Sequence, residues 1–149
     1  MANRVIFHVD ANSAFLSWSA AYRVKVLGEK VDLREIPSVV AGDKDSRQGI
    51  ILAKSGPAKK YGIQTGEPLF QALEKCPQLA VVQPDYHLYV EASRHFVDML
   101  RQFSPQVEQY SIDELGGHAR IVQGLHHLWT DIGRQEHLAR DVIDFEEVV

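Results

Sequence analysis

The chain has 149 residues, 45% hydrophobic and 24% charged, which predicts a packed fold rather than a disordered segment. Its formal net charge of −4 argues against a protein that binds nucleic acid through bulk positive charge. The single cysteine, Cys76, excludes an intramolecular disulfide, and we therefore expect a reducing, cytoplasmic location. The apolar run near the N-terminus is too short to predict a signal peptide or a membrane span.

Strand and helix patterns alternate along the chain and predict an α+β fold. In chain order these are a strand over residues 5–9, a helix over 14–27, strands over 32–40 and 48–53, helices over 57–61 and 68–75, a strand over 79–82, a helix over 86–103 and a strand over 107–112. We expect Leu115, Gly116 and Gly117 to break the last strand, because glycine weakens strands.

The C-terminal segment has a different pattern. Residues 121–145 are compatible with a helix, and residues 144–149 form a short acidic tail. His126, His127 and His137 give only a weak zinc signal, because adjacent residues of a helix point to different faces. We interpret them as surface histidines.

Two acidic clusters follow predicted strands: Asp10 follows the first strand, and Asp113 with Glu114 follows the last. Asp10 could cap the next helix, and Asp113 with Glu114 could begin a turn. If the two strands are neighbours, the three carboxylates could instead bind divalent cations such as Mg²⁺, which prefers oxygen ligands. The residues alone leave both interpretations open.

Several segments, in order, resemble the Y-family translesion DNA polymerases, in particular the DNA polymerase IV branch. They are residues 5–15 (VIFHVDANSAF), 49–55 (GIILAKS), 58–63 (AKKYGI), 66–68 (GEP), 76–77 (CP), 81–82 (VV), 84–86 (PDY), 104–108 (SPQVE) and 111–114 (SIDE). The resemblance covers about residues 3–114, and we expect it to end after Glu114.

The resemblance implies a partial polymerase palm, a mixed or antiparallel sheet with packed helices, together with a small fingers lobe. The implied palm covers residues 1–40 and 83–114, the fingers cover 41–82, and a divergent helical tail covers 115–149. An incomplete palm sheet would leave an open edge, which we expect the tail or a second subunit to cover.

The resemblance also implies a cofactor of two Mg²⁺ ions and three catalytic carboxylates. Asp10 and Asp113 would be ligands of both ions, and Glu114 of the ion nearer the primer 3′ hydroxyl. The backbone carbonyl of Ala11 would be a further ligand. Asn12 stands where the family often has a second acidic residue.

Two side chains have implied roles toward the incoming nucleotide. Phe15 corresponds to the aromatic steric gate that excludes a 2′ hydroxyl, although an aromatic residue in the core of a helix is the alternative. Lys59 corresponds to a basic residue that contacts the triphosphate, although a solvated helix charge is the alternative.

The remaining implied nucleotide contacts are mostly backbone groups. The N–H groups of Ser13, Ala14 and Phe15 open a helix and suit phosphate oxygens. Ala11 and Ser55 complete the predicted nucleotide-binding set. Gly56 replaces a tyrosine that commonly contacts the triphosphate in the family.

The implied activity is addition of deoxynucleotides opposite damaged template, with a DNA primer–template and deoxynucleoside triphosphates as partners. We expect it to be weak or absent in this truncated chain alone. One alternative is a non-catalytic interaction module that forms a homo-oligomer through its tail. Another is a nucleotide-binding remnant without turnover.

Overall fold

A computed structural model of the chain describes residues 6–42, 49–102, 104–118 and 143–148. Its elements are β1 (Ile6–Ala11), α1 (Ala14–Lys25), β2 (Ser38–Ala41), β3 (Ile51–Lys54), α2 (Gly56–Lys59), α3 (Leu69–Lys75), β4 (Ala80–Val82), α4 (Tyr86–Arg101), β5 (Val107–Gln109), β6 (Glu114–His118) and β7 (Ile143–Val148). This confirms the predicted α+β class. In these ranges no helix has the length and apolar character needed to span a membrane.

The chain divides into two compact units. The first unit comprises Met1–Asn12 and Tyr89–Val149, and the second comprises Ser13–Leu88. A four-stranded sheet with the order β5-β6-β1-β7 lies in the first unit, and a three-stranded sheet with the order β3-β2-β4 lies in the second.

The four-stranded sheet is antiparallel throughout, with β1 between β6 and β7. Val9 and Leu115 are opposite each other in the register of β1 and β6, and both are buried. Because side chains alternate across a strand, the neighbouring residues His8 and Asp10 project to the other face, where both are half-buried. The sheet therefore has one apolar face and one face that carries polar side chains.

Helix α4 contributes a buried stripe to the first unit. The buried positions recur at helical spacing and are Tyr89, Ser93, Phe96, Val97 and Leu100. The Gln109 side-chain amide of β5 donates a hydrogen bond of 3.0 Å to the Ser93 hydroxyl. This bond joins the helix to the edge strand that precedes the acidic turn.

The three-stranded sheet of the second unit is covered by helices on both faces. All four residues of β2 are buried, which explains its continuous apolar character. One face packs in a cluster that includes residues of α2 and α3: Val39, Ala41, Ile51, Ala58, Ile63, Leu69, Ala72, Cys76 and Leu79. The other face packs against α1 in a cluster of Leu16, Ala20, Leu33, Val40 and Ala53.

The predicted strand over residues 32–40 is too long, because β2 begins only at Ser38. The Asp32 carboxylate accepts hydrogen bonds from the Arg34 backbone N–H and from the Arg34 guanidinium. The backbone N–H of Glu35 also donates to the Asp32 carbonyl at 3.1 Å. These bonds form a turn in place of the first part of the predicted strand.

The predicted strand over residues 107–112 is also too long, and the predicted break at residues 115–117 is wrong. Strand β5 ends at Gln109, the chain turns, and β6 begins at Glu114 and contains both glycines. The backbone N–H groups of Tyr110 and Ser111 donate to the Glu114 carbonyl and close the turn. Pairing with β1 on one side and β5 on the other keeps the glycine positions in the strand.

Most of the predicted tail helix lies outside the described residues. Residues 143–148, which we expected to be the end of the helix and an acidic tail, form β7 instead. This strand pairs with β1 on the side away from β6. The tail therefore covers the edge of β1 that an incomplete sheet would have left open, one of the two arrangements expected.

Candidate functional site

The three predicted catalytic carboxylates belong to adjacent backbone positions of the first unit. Asp10 on β1 is opposite Glu114 on β6 in the antiparallel register. One position further, the Ala11 N–H donates a hydrogen bond of 3.0 Å to the Asp113 carbonyl. Opposite residues in an antiparallel pair have Cα atoms about 4.5–5.5 Å apart and share a face of the sheet. Asp10 and Glu114 therefore project from the same face.

The turn between β5 and β6 orients Asp113. The Ser111 hydroxyl donates a hydrogen bond of 2.7 Å to Asp113 Oδ1. The backbone N–H groups of Tyr110 and Ser111 donate to the Glu114 carbonyl at 3.0 and 3.3 Å. Asp113 thus belongs to a hydrogen-bonded turn, as the alternative interpretation proposed, and the same turn places it beside β1.

The donor set is chemically suited to a hard divalent cation. Asp10 on β1, Glu114 on β6 and Asp113 in the turn before β6 are half-buried residues whose carboxylates are hard oxygen ligands. In the described part of the chain, however, no three His, Cys, Asp or Glu side chains converge as a group that could hold a metal. Like-charged carboxylates repel one another without an intervening cation. The backbone register is therefore suitable, while convergence of the three side chains would have to accompany metal binding.

A further acidic residue is opposite Asp10 on its other side. The register of β7 pairs the Asp144 position with Asp10 and the Glu146 position with His8. Residues 144–149 were interpreted only as an acidic tail. The signal that sequence reasoning missed was the alternation of apolar and acidic residues over 143–146, which is typical of a strand.

The predicted nucleotide-binding residues, apart from Ala11, belong to the second unit. Ser13 precedes α1 and has a left-handed conformation, with φ 47° and ψ 45°. Non-glycine residues rarely adopt this conformation, and such residues cluster at ligand sites. The Ser13 side chain makes no capping hydrogen bond to α1, although its carbonyl accepts the Ser17 N–H at 3.0 Å. Ala14 and Phe15 follow as the first residues of the helix.

Phe15 is half-buried and packs at the margin of the cluster that contains Leu16 and Val40. Its ring meets the ring of Tyr86 edge-on, with centroids 6.3 Å apart and an interplanar angle of 81°. Tyr86 is 58% exposed. Phe15 is therefore a partly exposed aromatic residue whose ring contacts Tyr86. The sequence did not indicate this contact.

Ser55 is buried, and its hydrogen-bonding groups are used within the protein. Its hydroxyl donates to the Ile36 carbonyl at 2.7 Å and accepts the N–H groups of Ser38 and Ala58, each at 3.1 Å. Its own N–H donates to the Ser38 carbonyl at 2.9 Å. A hydroxyl has one donor and two acceptor positions, so the Ser55 side chain is saturated. It caps α2 and thereby positions the helix that carries Lys59.

Lys59 is exposed in the last turn of α2. Two other lysines of this unit are engaged within it. Lys54 Nζ donates to the Ile63 carbonyl at 2.7 Å, and Lys75 Nζ pairs with Glu67 Oε2 at 2.6 Å. The exposure of Lys59 suits a ligand contact and also suits the solvated helix charge of the alternative interpretation.

A groove of about 480 Å³ lies in the first unit between α4 and the acidic turn. Its lining residues are Val90, Ser93, Arg94, Gln109, Tyr110, Ser111 and Ile112. Sequence reasoning did not single it out. One available signal was the position of Tyr110 and Ser111 shortly before the acidic pair, with Ile112 between.

The chain matches known proteins over most of its length. Residues 9–142 match the impB/mucB/samB family. A DNA polymerase IV of Clostridium acetobutylicum is 54% identical over 112 residues, covering 75% of this chain and 28% of that protein. A DNA polymerase IV of Alkaliphilus oremlandii is 38% identical over 112 residues, covering 75% of this chain and 26% of that protein.

The fold also resembles that of solved polymerases. A Y-family DNA polymerase chimera, Dbh-Dpo4(243-245)-Dbh, superposes with a TM-score of 0.75 at 16% identity, covering 96% of this chain and 42% of the chimera. The chain spans about a quarter of the length of the curated relatives described above.

The two relatives align over 112 residues, the length that the resemblance over residues 3–114 predicts, whereas the match to the family extends further, to residue 142. The turn motif ends at Glu114, but β6 continues the antiparallel ladder with β1 beyond it. Family match, relatives and fold agree, and the chain belongs to the impB/mucB/samB family, the Y-family of DNA polymerases, of which it matches the N-terminal portion.

Proposed function

We propose that the chain carries the metal-binding and nucleotide-binding part of a translesion DNA polymerase. The observation that supports this most directly is the pairing of Asp10 with Glu114, beside the hydrogen bond between Ala11 and Asp113. This pairing makes neighbours of backbone positions separated by about a hundred residues of sequence, and two-metal phosphoryl transfer needs carboxylates at such neighbouring positions. The substrates are a DNA primer–template and deoxynucleoside triphosphates.

In this proposal the cofactor is a pair of Mg²⁺ ions, held by Asp10 and Asp113 jointly. Glu114 and the Ala11 carbonyl complete the protein ligands. When bound, the ions would activate the primer 3′ hydroxyl and neutralise charge on the leaving pyrophosphate. Ser111 contributes by holding one oxygen of Asp113, which leaves the carboxylate oriented before a cation arrives.

The second unit is proposed to bind the nucleotide. Phe15 selects against a 2′ hydroxyl, and its edge-on contact with Tyr86 favours the present position of the ring. The backbone N–H groups at Ser13, Ala14 and Phe15 face the phosphates, because the start of a helix attracts anions. Lys59 supplies a positive charge for the triphosphate, and Ser55 acts through its cap on α2.

We further propose that the 149 residues alone extend primers weakly and act in the cytoplasm. The net charge of −4 gives little general attraction for the DNA backbone, which supplies much of the affinity in DNA-binding proteins. The oligomerising interaction module is not favoured. Its argument rested partly on an open edge of β1, and that edge is paired with β7.

Calorimetry of deoxynucleoside triphosphate binding in the presence of Mg²⁺ tests the proposal. We expect binding by the wild-type chain that Asp10→Asn weakens at least about tenfold, because a carboxylate ligand is lost. Glu108→Gln is the matched control, since Glu108 is an exposed carboxylate on β5. Equal binding by the wild type and Asp10→Asn would rule out the assigned metal site.

A further inference from the structure

We infer that Tyr110 is a positioning residue for the proposed metal site. Its ring occupies the space above Gly116, and this placement holds the turn that carries Asp113 and Glu114. The expected effect on metal binding rests on the proposed function. The contacts that carry it lie entirely within the first unit.

Gly116 leaves the space that the Tyr110 ring fills. A Cβ added to Gly116 would lie 2.7 Å from both the Cε2 and hydroxyl oxygen atoms of Tyr110 and 3.0 Å from its Cζ atom. Such distances are far below an ordinary carbon contact of about 3.5–4.0 Å. A side chain at position 116 and the present position of the Tyr110 ring are therefore mutually exclusive.

The same ring contacts β1 beside Asp10. His8 is opposite Gly116 in the register, two residues before Asp10 and on the same face. The rings of His8 and Tyr110 have centroids 6.0 Å apart and are tilted by 59°. Tyr110 is 60% exposed, so burial contributes little to fixing it. Its place depends on the glycine beneath it and on the neighbouring imidazole.

Backbone hydrogen bonds link Tyr110 to the acidic pair. Its N–H donates to the Glu114 carbonyl at 3.0 Å, and the next residue, Ser111, donates to the same carbonyl at 3.3 Å. The Ser111 hydroxyl also holds Asp113 Oδ1. A displaced ring would therefore disturb the residues that set the positions of both carboxylates.

The effect on a metal site should be measurable because such sites tolerate little misplacement. Ligands that are about 0.5 Å out of position already weaken a designed site. The groups that orient metal ligands typically contribute about 10–100-fold in affinity. Displacement of the Tyr110 ring should therefore lower the affinity for the metal by a factor in this range.

The test uses Gly116→Ala in the 149-residue chain, with two measurements. Mn²⁺ binding is followed by electron paramagnetic resonance, and amide hydrogen exchange reports the turn at Tyr110 and Ser111. We expect Gly116→Ala to weaken Mn²⁺ binding about tenfold and to accelerate exchange at both amides. Gly42→Ala is the control, because its added Cβ would meet only an ordinary contact of 3.6 Å.

Variants of Tyr110 separate its ring from a general loss of folding. Tyr110→Phe retains the ring and should preserve Mn²⁺ binding and exchange. Tyr110→Ala should weaken Mn²⁺ binding. The double variant Tyr110→Ala with Gly116→Ala should bind Mn²⁺ as well as Tyr110→Ala alone, because no ring remains for the Cβ of Ala at position 116 to meet. Additive losses in the double variant would contradict a shared mechanism.

The remaining outcomes distinguish this inference from the proposed function. If Gly116→Ala changes neither measurement, Tyr110 does not hold the turn. If exchange accelerates while Mn²⁺ binding is unchanged, the turn does not position the metal site. A wild-type chain that binds no Mn²⁺ would overturn the proposed function, and hydrogen exchange would still decide whether Tyr110 holds the turn.

Discussion

Asp10 and Glu114 are opposite each other on β1 and β6, with the Ala11–Asp113 backbone hydrogen bond at the next position. The arrangement is determined by strand register, which flanking pairs fix from Ile6 with His118 to Asp10 with Glu114. A slip of one residue would move Glu114 to the opposite face of the sheet. Burial of Val9 and Leu115 on that opposite face opposes such a slip.

The first prediction concerns primer extension in the presence of Mn²⁺ or Mg²⁺. Asp113→Asn keeps the size of the side chain and removes its charge, so we expect extension to fall at least about 100-fold, the scale for losing one group that stabilises transition-state charge. Rates are measured on a primed template with the 149-residue chain at high concentration. Glu108→Gln should retain wild-type activity, and extension that survives Asp113→Asn would refute the catalytic assignment.

The second prediction concerns sugar selection by Phe15. Phe15→Ala removes the ring proposed to exclude a 2′ hydroxyl. The wild-type chain should bind a deoxynucleoside triphosphate more tightly than the matching ribonucleoside triphosphate, and Phe15→Ala should reduce this preference at least about tenfold. Calorimetry with the two triphosphates and Mg²⁺ measures the ratio of the two dissociation constants. Phe70→Ala removes another half-exposed ring of the second unit and should leave the ratio unchanged. An unchanged ratio in Phe15→Ala would favour the alternative, in which Phe15 is only a core aromatic.

The third prediction separates two adjacent lysines. Lys59 and Lys60 are both exposed at the end of α2, but only Lys59 is proposed to contact the triphosphate. Lys59→Ala should weaken triphosphate binding about tenfold, consistent with loss of one charge-assisted hydrogen bond. Lys60→Ala should have a much smaller effect in the same titration. Equal losses of affinity in the two variants would indicate only a general attraction between the lysine charges and the triphosphate.

Ser55 shows where family resemblance and local structure differ. The resemblance placed it among the nucleotide-binding residues. In the fold its hydroxyl is saturated by Ile36 and Ser38 from the segment that leads into β2, and by Ala58 of α2. Two of these partners are distant in sequence, so a local pattern could not have revealed them.

The acidic turn shows which features local sequence patterns can predict and which they cannot. Strand β1 was predictable from composition, although it continues through Asp10 to Ala11. The turn character of Asp113 was also predictable, whereas Glu114 begins β6. The continuation of β6 through Gly116 was not predictable, since glycine normally indicates a break. Its cause is tertiary, because β1 and β5 pair with β6 and the Tyr110 ring covers the glycine.

The fourth prediction concerns stability at Ser55. Ser55→Ala leaves the Ile36 carbonyl and the N–H groups of Ser38 and Ala58 without their present partner. Buried groups without partners cost about 1–3 kcal/mol, and we expect a loss of about 2 kcal/mol in the free energy of unfolding. Urea denaturation measures this. Ser13→Ala is the comparison, since Ser13 is exposed and does not cap its helix with its side chain, and it should change stability by less than about 0.5 kcal/mol.

The fifth prediction concerns the pH dependence of stability at the Asp32–Arg34 turn. Hydrogen bonds from Arg34 lower the pKa of Asp32 below its ordinary value of 3.8, against the opposing effect of burial. The two side chains are only 11% and 16% exposed, and their closest atoms are 2.7 Å apart. Because the folded state holds the ionised form, the stabilisation is fully present above pH 3.8 and is lost as the pH falls through the lowered pKa.

Asp32→Asn should therefore reduce stability by about 1 kcal/mol at neutral pH, and the difference from wild type should shrink below pH 3.8. Urea denaturation at a series of pH values measures the difference. Glu91→Gln removes the partner of Arg94 in a pair that is 42% and 62% exposed, so it should have little effect at any pH. A constant difference between wild type and Asp32→Asn across the acid range would contradict a contribution from the ionised carboxylate, since only that form gains from Arg34.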